Sequence, residues 1–427
     1  MKDYLKIKNK ENLEIKQCLP QNCLKIIEFK YLSCINNKTK FFISIKNFNH
    51  MNNENKQNQE NTIKKIRNPG IDLIRIIAMY FIIVNHFIFH GCGFKYFPKY
   101  KRKLSLLHCF TDWHIDSFIL ISGIVGYKTN KYSNLFYLWL TVLFYSVGIH
   151  LYVICFKKDF VINSDIYKEY FPIIFQRYWF FTVYFGMYLF LPVLNKGIKY
   201  LSKLEFRLVV TSTLGIFIFW KDYKNPKNDI FFLKSGNSVI WFLIFYLTGA
   251  YIGKYRIDYI GIKKYIYCII CLFIFFFFSY LSFKSYNNEL SFRIGNSKVD
   301  FPISLKQIIN DNHNSSIKII QSITVCLFFL QIHYNKYIAK IICFLGPLVF
   351  GIYLVHEHNL IRENVIKHIF DNHQNSGKEL LNLLLLKALL IFILSIIIDY
   401  FRHLLFSLLR LKNFSIFIER KMKEKLS

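Results

Sequence analysis

Apolar residues come in unbroken runs of about 20 along this chain, rather than at the spaced intervals of a soluble domain. That is the length an α-helix needs to cross about 30 Å of hydrocarbon. Ten runs can be placed, at 71–90, 105–127, 134–156, 178–194, 205–220, 238–254, 265–283, 317–334, 338–355 and 380–401. The pattern predicts an all-α integral membrane protein, a bundle of about ten transmembrane helices. The longest polar connection, 284–316, separates the seventh run from the eighth. Residues 1–66 are polar, rich in Lys and Asn, and lack the compact apolar segment and cleavage site of a secretory signal. They are expected to be a disordered tail. Met51 opens a short polar lead into the first run and is expected to be the natural start, which would make 1–50 a mis-assigned extension. The expected organisation is a polar tail over 1–66, a membrane domain over 67–405 and a basic cytosolic tail over 406–427.

Composition sharpens this picture. Of the 427 residues, 53% are hydrophobic, with 46 Phe and 29 Tyr. The formal net charge of +30, from 56 Lys+Arg against 26 Asp+Glu, would suit a nucleic-acid binder. The basic residues lie mostly in tails and short connections, however, so membrane flanking is the reading and no nucleic-acid partner is expected. Both ends of the chain are basic, and an even number of spans puts them on one side, so the positive-inside bias predicts cytosolic termini in a plasma membrane. The connection 95–103, placed outside on this scheme, is as basic as any inside loop. Ten cysteines show no disulfide or zinc spacing, and Cys268 and Cys271 sit inside an apolar run as small hydrophobes. No metal site is expected.

Candidate chemistry lies where lipid makes polarity costly. A charge at the bilayer centre costs at least about 2.5–3.5 kcal/mol by insertion scales, so intramembrane charges point to function. The first run carries Asp72, Arg75, His86 and His90. Arg75 and His86 are eleven residues apart, three turns plus about 20°, so they share a helix face some 16 Å apart along the axis. With a cytosolic N-terminus, Arg75 lies near the inner surface, suited to a phosphorylated carrier, and His86 in the outer half, suited to accept a proton. The plainer reading is a snorkelling arginine and a hydrogen-bonded histidine. The second run adds Asp112, His114 and Asp116. Asp116 falls at the depth of His86 and is expected to orient its imidazole, or else to be a structural partner for another donor. Lys128 and Lys131 close that run near Arg75, as a phosphate-binding mouth or as ordinary flanking charges.

These residues resemble the membrane-bound acyltransferase-3 family, especially its surface-polysaccharide O-acetyltransferases. Gly70-Ile-Asp-Leu-Ile-Arg75 through His86 is similar to the family's Arg-x10-His signature. Phe118-Ile-Leu-Ile-Ser122-Gly123, Tyr178-Trp179-Phe-Phe-Thr182 with Tyr188-Leu-Phe-Leu-Pro192, Trp241 to Gly249, and Phe350 to His356 resemble later segments, in order. The likeness covers roughly 68–405. It implies a ten-helix bundle in which a cytosolic acyl-coenzyme A, acetyl by default, donates to a hydroxyl of an extracytoplasmic carbohydrate, a surface polysaccharide or lipid-linked glycan. No bound cofactor is implied. His86 would be the base with Asp116 beside it. Arg75, Ser122, Lys128 and Lys131 would hold the donor, and Arg177, Trp179, Tyr188, Trp241, His356 and Arg362 the acceptor. Lys128-x-x-Lys131 stands where members often carry Arg-x-x-Arg, and lysine lacks the bidentate fork of arginine. A secondary transporter relaying protons through Arg75, His86 and Asp116 is the alternative, although no inverted repeat is visible. A non-enzymatic polysaccharide export component is the third reading.

Overall fold

The computed structural model separates two units, Met1–Arg67 and Asn68–Ser427. It describes residues 67–426 apart from 92, 130, 158, 161–165, 225–230, 256–262, 288–290, 295–296, 301–314 and 372–378. Met51 and the polar tail over 1–66 lie outside the described residues. The second unit is helical, with one short antiparallel hairpin, Ser291–Ile294 paired with Ser297–Asp300, in the long polar connection.

The longer helices among the described residues, in chain order, are α1 Pro69–Phe89, α2 Lys101–Thr111, α3 His114–Gly126, α4 Tyr132–Phe156, α5 Trp179–Tyr200 and α6 Lys203–Lys224. They continue as α7 Val239–Tyr255, α8 Lys264–Tyr286, α9 Ser316–Gln331, α10 Lys336–Leu345, α11 Val349–His356, α12 Leu380–Leu408 and α13 Leu411–Leu426. Among the described residues, five segments are long and apolar enough to cross a membrane by length and composition: α1, α4, α8, Lys336–His356 and α12. α7 and α9 are shorter apolar helices. Large apolar side chains stand exposed on α8 (Phe273, 70%) and α12 (Phe401, 64%), on faces that water would penalise and lipid accepts. The chain is an all-α integral membrane protein.

α1 is the central helix. Asn68 caps its start, Oδ1 accepting from the Gly70 amide at 2.8 Å, with Pro69 at the first position and Asp72 in the first turn. Its faces feed two apolar clusters. Ile71, Ile74 and Ala78 join α3, α5, α7 and α9. Met79, Ile83, Phe87 and Ile88 join α4, α11 and α12. α3 and α7 pack backbone to backbone, because a Cβ on Gly123 would collide with the Tyr246 carbonyl and one on Gly249 with that of Leu120.

One expectation is corrected here. The run 105–127 is two helices, broken at Asp112–Trp113. α9 satisfies the break: Lys318 ion-pairs with Asp112, Gln321 Nε2 donates to the Cys109 carbonyl at 3.1 Å, and Ser322 Oγ to that of Trp113 at 3.0 Å. Freed backbone groups at membrane depth survive only with such protein partners. The run 338–355 is one apolar segment, Lys336–His356, tightened to a 3₁₀ turn at Gly346–Leu348, where Pro347 removes an amide donor. The basic C-terminal segment is helical as α13, packed on α4 with Glu419 accepting from the Ser133 amide at 2.9 Å.

Candidate active site

His86 and His90 stand one turn apart at the C-terminal end of α1, ring centroids 5.0 Å apart. The end of α11 delivers His356 and Glu357 to the same place. The His356 ring lies 5.2 Å from that of His86, and Glu357 Oε2 lies 3.1 Å from His86 Nδ1. The other carboxylate oxygen accepts from Arg362 Nη1 at 2.8 Å, and Arg362 Nη2 donates to Asn359 Oδ1 at 3.0 Å. His86 thus heads a line of three groups, imidazole, carboxylate and guanidinium. Its side chain keeps 20% exposure while Glu357 keeps 4%. Glu357 was missed by sequence reasoning. The signal was there in His356-Glu357-His358, three ionisable residues ending an apolar run, but nothing linked that run to the first one.

The carboxylate expected beside His86 was Asp116. The structure instead sets Glu357 there, and Asp116 Oδ1 accepts from Trp241 Nε1 at 3.3 Å. The correction has a geometric cause: the break at Asp112–Trp113 resets the rotation of α3, so depth counted along one continuous helix does not place Asp116. Trp241, expected near an acceptor, is fully buried in this contact.

The other end of α1 gathers a second group. Arg75 Nη1 donates to buried Asp72 Oδ1 at 2.9 Å. The Tyr184 hydroxyl lies near Ser122 and in the field of Arg75, and Ser122 Oγ donates to the Phe118 carbonyl at 2.8 Å. Tyr188, expected with the acceptor set, has its hydroxyl donating to the Lys131 carbonyl at 2.9 Å. Lys128 and Lys131 are exposed, with Lys128 Nζ 5.5 Å from the Tyr127 ring centre. Arg75 lies eleven residues from His86 along α1, and Tyr188 joins Lys131 just past the end of α3.

Of the remaining expected acceptor residues, His356 and Arg362 reach the His86 end, while Trp179 is half-buried edge-on to Phe180. Arg177 is committed to Glu169, its Nε donating to Oε1 at 2.7 Å. Glu169 also accepts from Ser146 Oγ at 2.6 Å and has His150 and His358 within 3.8 and 3.9 Å. Burial alone raises the Glu169 carboxyl, but the hydrogen bonds from Arg177 and Ser146 more than offset it and hold it below its usual value.

His358, just past the Lys336–His356 segment, is locked neutral by its partners. Nε2 faces the Ser146 carbonyl at 3.1 Å and Nδ1 accepts from the Leu360 amide at 3.2 Å, so one nitrogen must carry the proton and the other must not. Burial, against the pull of Glu169, pushes it down to about 4. A histidine lowered in the fold destabilises it on acidification, because the unfolded chain takes the proton first, below about pH 6.5. The loss accumulates from about pH 6.5 to 4 and is on the order of 2–3 kcal/mol. Thermal unfolding of purified protein at pH 7 and pH 5 should show this drop, and His358→Gln should flatten it. An equal drop in the variant would remove the role.

A family model described as an acyltransferase domain, of the acyltransferase-3 type, matches residues 68–400. No curated protein matches the chain, and no solved structure does. The match takes in both ends of α1 and the α11 segment that meets it. The chain is a membrane acyltransferase and belongs to the acyltransferase-3 family.

Proposed function

We propose that this enzyme transfers an acyl group, acetyl by default, from cytosolic acyl-coenzyme A to a hydroxyl of an extracytoplasmic carbohydrate. The reading takes 67–405 as a ten-span domain of the plasma membrane with both termini cytosolic. The observation that carries it is the His86–Glu357 pair. With Nδ1–H directed to Glu357, the Nε2 lone pair of His86 is the base. It takes the acceptor hydroxyl proton as that oxygen forms its bond to the thioester carbonyl. The C–S bond then breaks, and the coenzyme A thiolate leaves and recovers the proton. Glu357 stabilises the imidazolium that forms, and Arg362 keeps that carboxylate in place.

The donor's phosphates belong at Arg75, Lys128 and Lys131, with Ser122, Tyr184 and Tyr188 beside them. Some 16 Å of helix rise separates Arg75 from His86, which a long pantetheine arm suits. The acceptor belongs at His356 and Arg362, near Trp179 and Arg177. Holding both substrates in line contributes as much as proton transfer does.

Membranes containing the enzyme, incubated with radiolabelled acetyl-coenzyme A and surface glycan, should release coenzyme A and put alkali-labile label into the glycan. If neither appears with wild type, the transfer reading falls and relay through the same residues as a transporter takes its place.

A further inference from the structure

His86, His90 and Glu357 each offer one ligand atom, and these atoms lie within 4.8 Å of one another. His86 and His90 share a face of α1 at i and i+4, a spacing that lets two imidazoles meet one ion. Of the buried atoms beside them, His356 Nε2 has no protein hydrogen-bond partner, and Glu357 Oε2 has only the 3.1 Å approach of His86 Nδ1. His356 is 1% exposed and donates Nδ1–H to the Ile352 carbonyl at 2.6 Å, so its Nε2 lone pair is held bare next to His86. A buried lone pair without a donor is costly, and a cation satisfies it as well as a proton donor does.

The supports match those around metal ligands. Ligating histidines give their other N–H to a backbone carbonyl, as His356 does, and ligating carboxylates are themselves hydrogen-bonded, as Glu357 is by Arg362. The donor set is nitrogen with one carboxylate oxygen, which favours zinc, cobalt, nickel or copper over magnesium or calcium. Ligand atoms about 2.0–2.2 Å from a tetrahedral ion stand about 3.4 Å apart, so side-chain adjustment closes the set.

We infer that His86, His90 and Glu357, with His356 as a neighbouring nitrogen donor, bind a divalent transition metal of the zinc class. An ion bound there takes a His86 nitrogen together with the Glu357 oxygen that orients the imidazole, so occupancy switches transfer off. That second step rests on the base role proposed for His86, whereas binding itself does not.

The test uses the tag-free full chain in detergent, stripped by chelator and titrated with Co²⁺ while its visible d–d absorption is followed, with Zn²⁺ as competitor. Wild type should bind one Co²⁺ per chain more tightly, by at least tenfold, than His90→Gln. His356→Gln serves as an independent variant, and size-exclusion profiles show that each remains folded. Equal affinity and stoichiometry in wild type and His90→Gln overturns the site. Zn²⁺ at saturating occupancy should suppress coenzyme A release by wild type and spare His90→Gln. Equal suppression of both would overturn the switch. Tight binding without any turnover would sink the transfer reading and leave the metal site standing. Turnover without His90-dependent binding would do the reverse.

Discussion

His86→Ala is expected to lower acyl transfer by about 10²–10⁴-fold at equal protein level, the range a general base contributes. The geometry behind this is the 3.1 Å approach of Nδ1 to Glu357, which selects the tautomer and leaves Nε2 to act. Glu357→Gln keeps the shape and removes the charge. It should cost about 10–100-fold, as loss of an orienting partner does. Its signature is a fall in kcat with little change in KM for the acyl donor, since the donor's phosphates are proposed to sit at the far end of α1. Asp116→Asn is the control that separates the two carboxylates. If it abolishes turnover as His86→Ala does while Glu357→Gln is silent, the orienting role passes to Asp116. Turnover by His86→Ala at the wild-type rate would remove the base altogether.

Arg402→Met should destabilise the fold by about 3–5 kcal/mol, the cost of leaving a buried charge without its partner. Asp399 is fully buried on α12 and accepts from Arg402 Nε at 2.9 Å, Arg402 Nη2 at 2.7 Å and the Tyr145 hydroxyl at 2.8 Å. The pair ties α12 to α4, while Gly351 of α11 gives Asp399 room, since a Cβ there would strike the carboxylate. Removing the guanidinium strands the anion against Tyr145. The double variant Arg402→Met with Asp399→Asn should recover most of the loss, because the uncompensated charge goes with it. Unfolding temperatures in detergent at fixed lipid and pH measure both. A single variant as stable as wild type would show that Tyr145 alone satisfies Asp399.

Much of this protein is legible in one dimension. Helix placement followed from run length, because a chain in hydrocarbon must bond its own backbone within each segment. α1, α4, α7, α8 and α9 fall within a few residues of the runs that predicted them. The pairing of Arg75 and His86 on one face needed only the helical repeat. Motif order within 68–405 was enough to bring out the family, now matched over residues 68–400.

What stayed hidden depends on distance along the chain. Periodicity relates residues within a helix and is silent on which helices touch, so Glu357 and Arg362 had no visible tie to His86. The break in the second run was hidden for a related reason: its support comes from Lys318, Gln321 and Ser322 on α9, and no local signal at Asp112–Trp113 announces it. That break decides where Asp116 points. Tyr188 reaches the Lys131 carbonyl beyond α3, a neighbour relation set by packing between helices. The sequence by itself determined the solvent this chain folds in, its helices and its family. Only the tertiary structure decided which carboxylate faces His86, because that choice belongs to contacts between helices, where pattern along the chain carries no information.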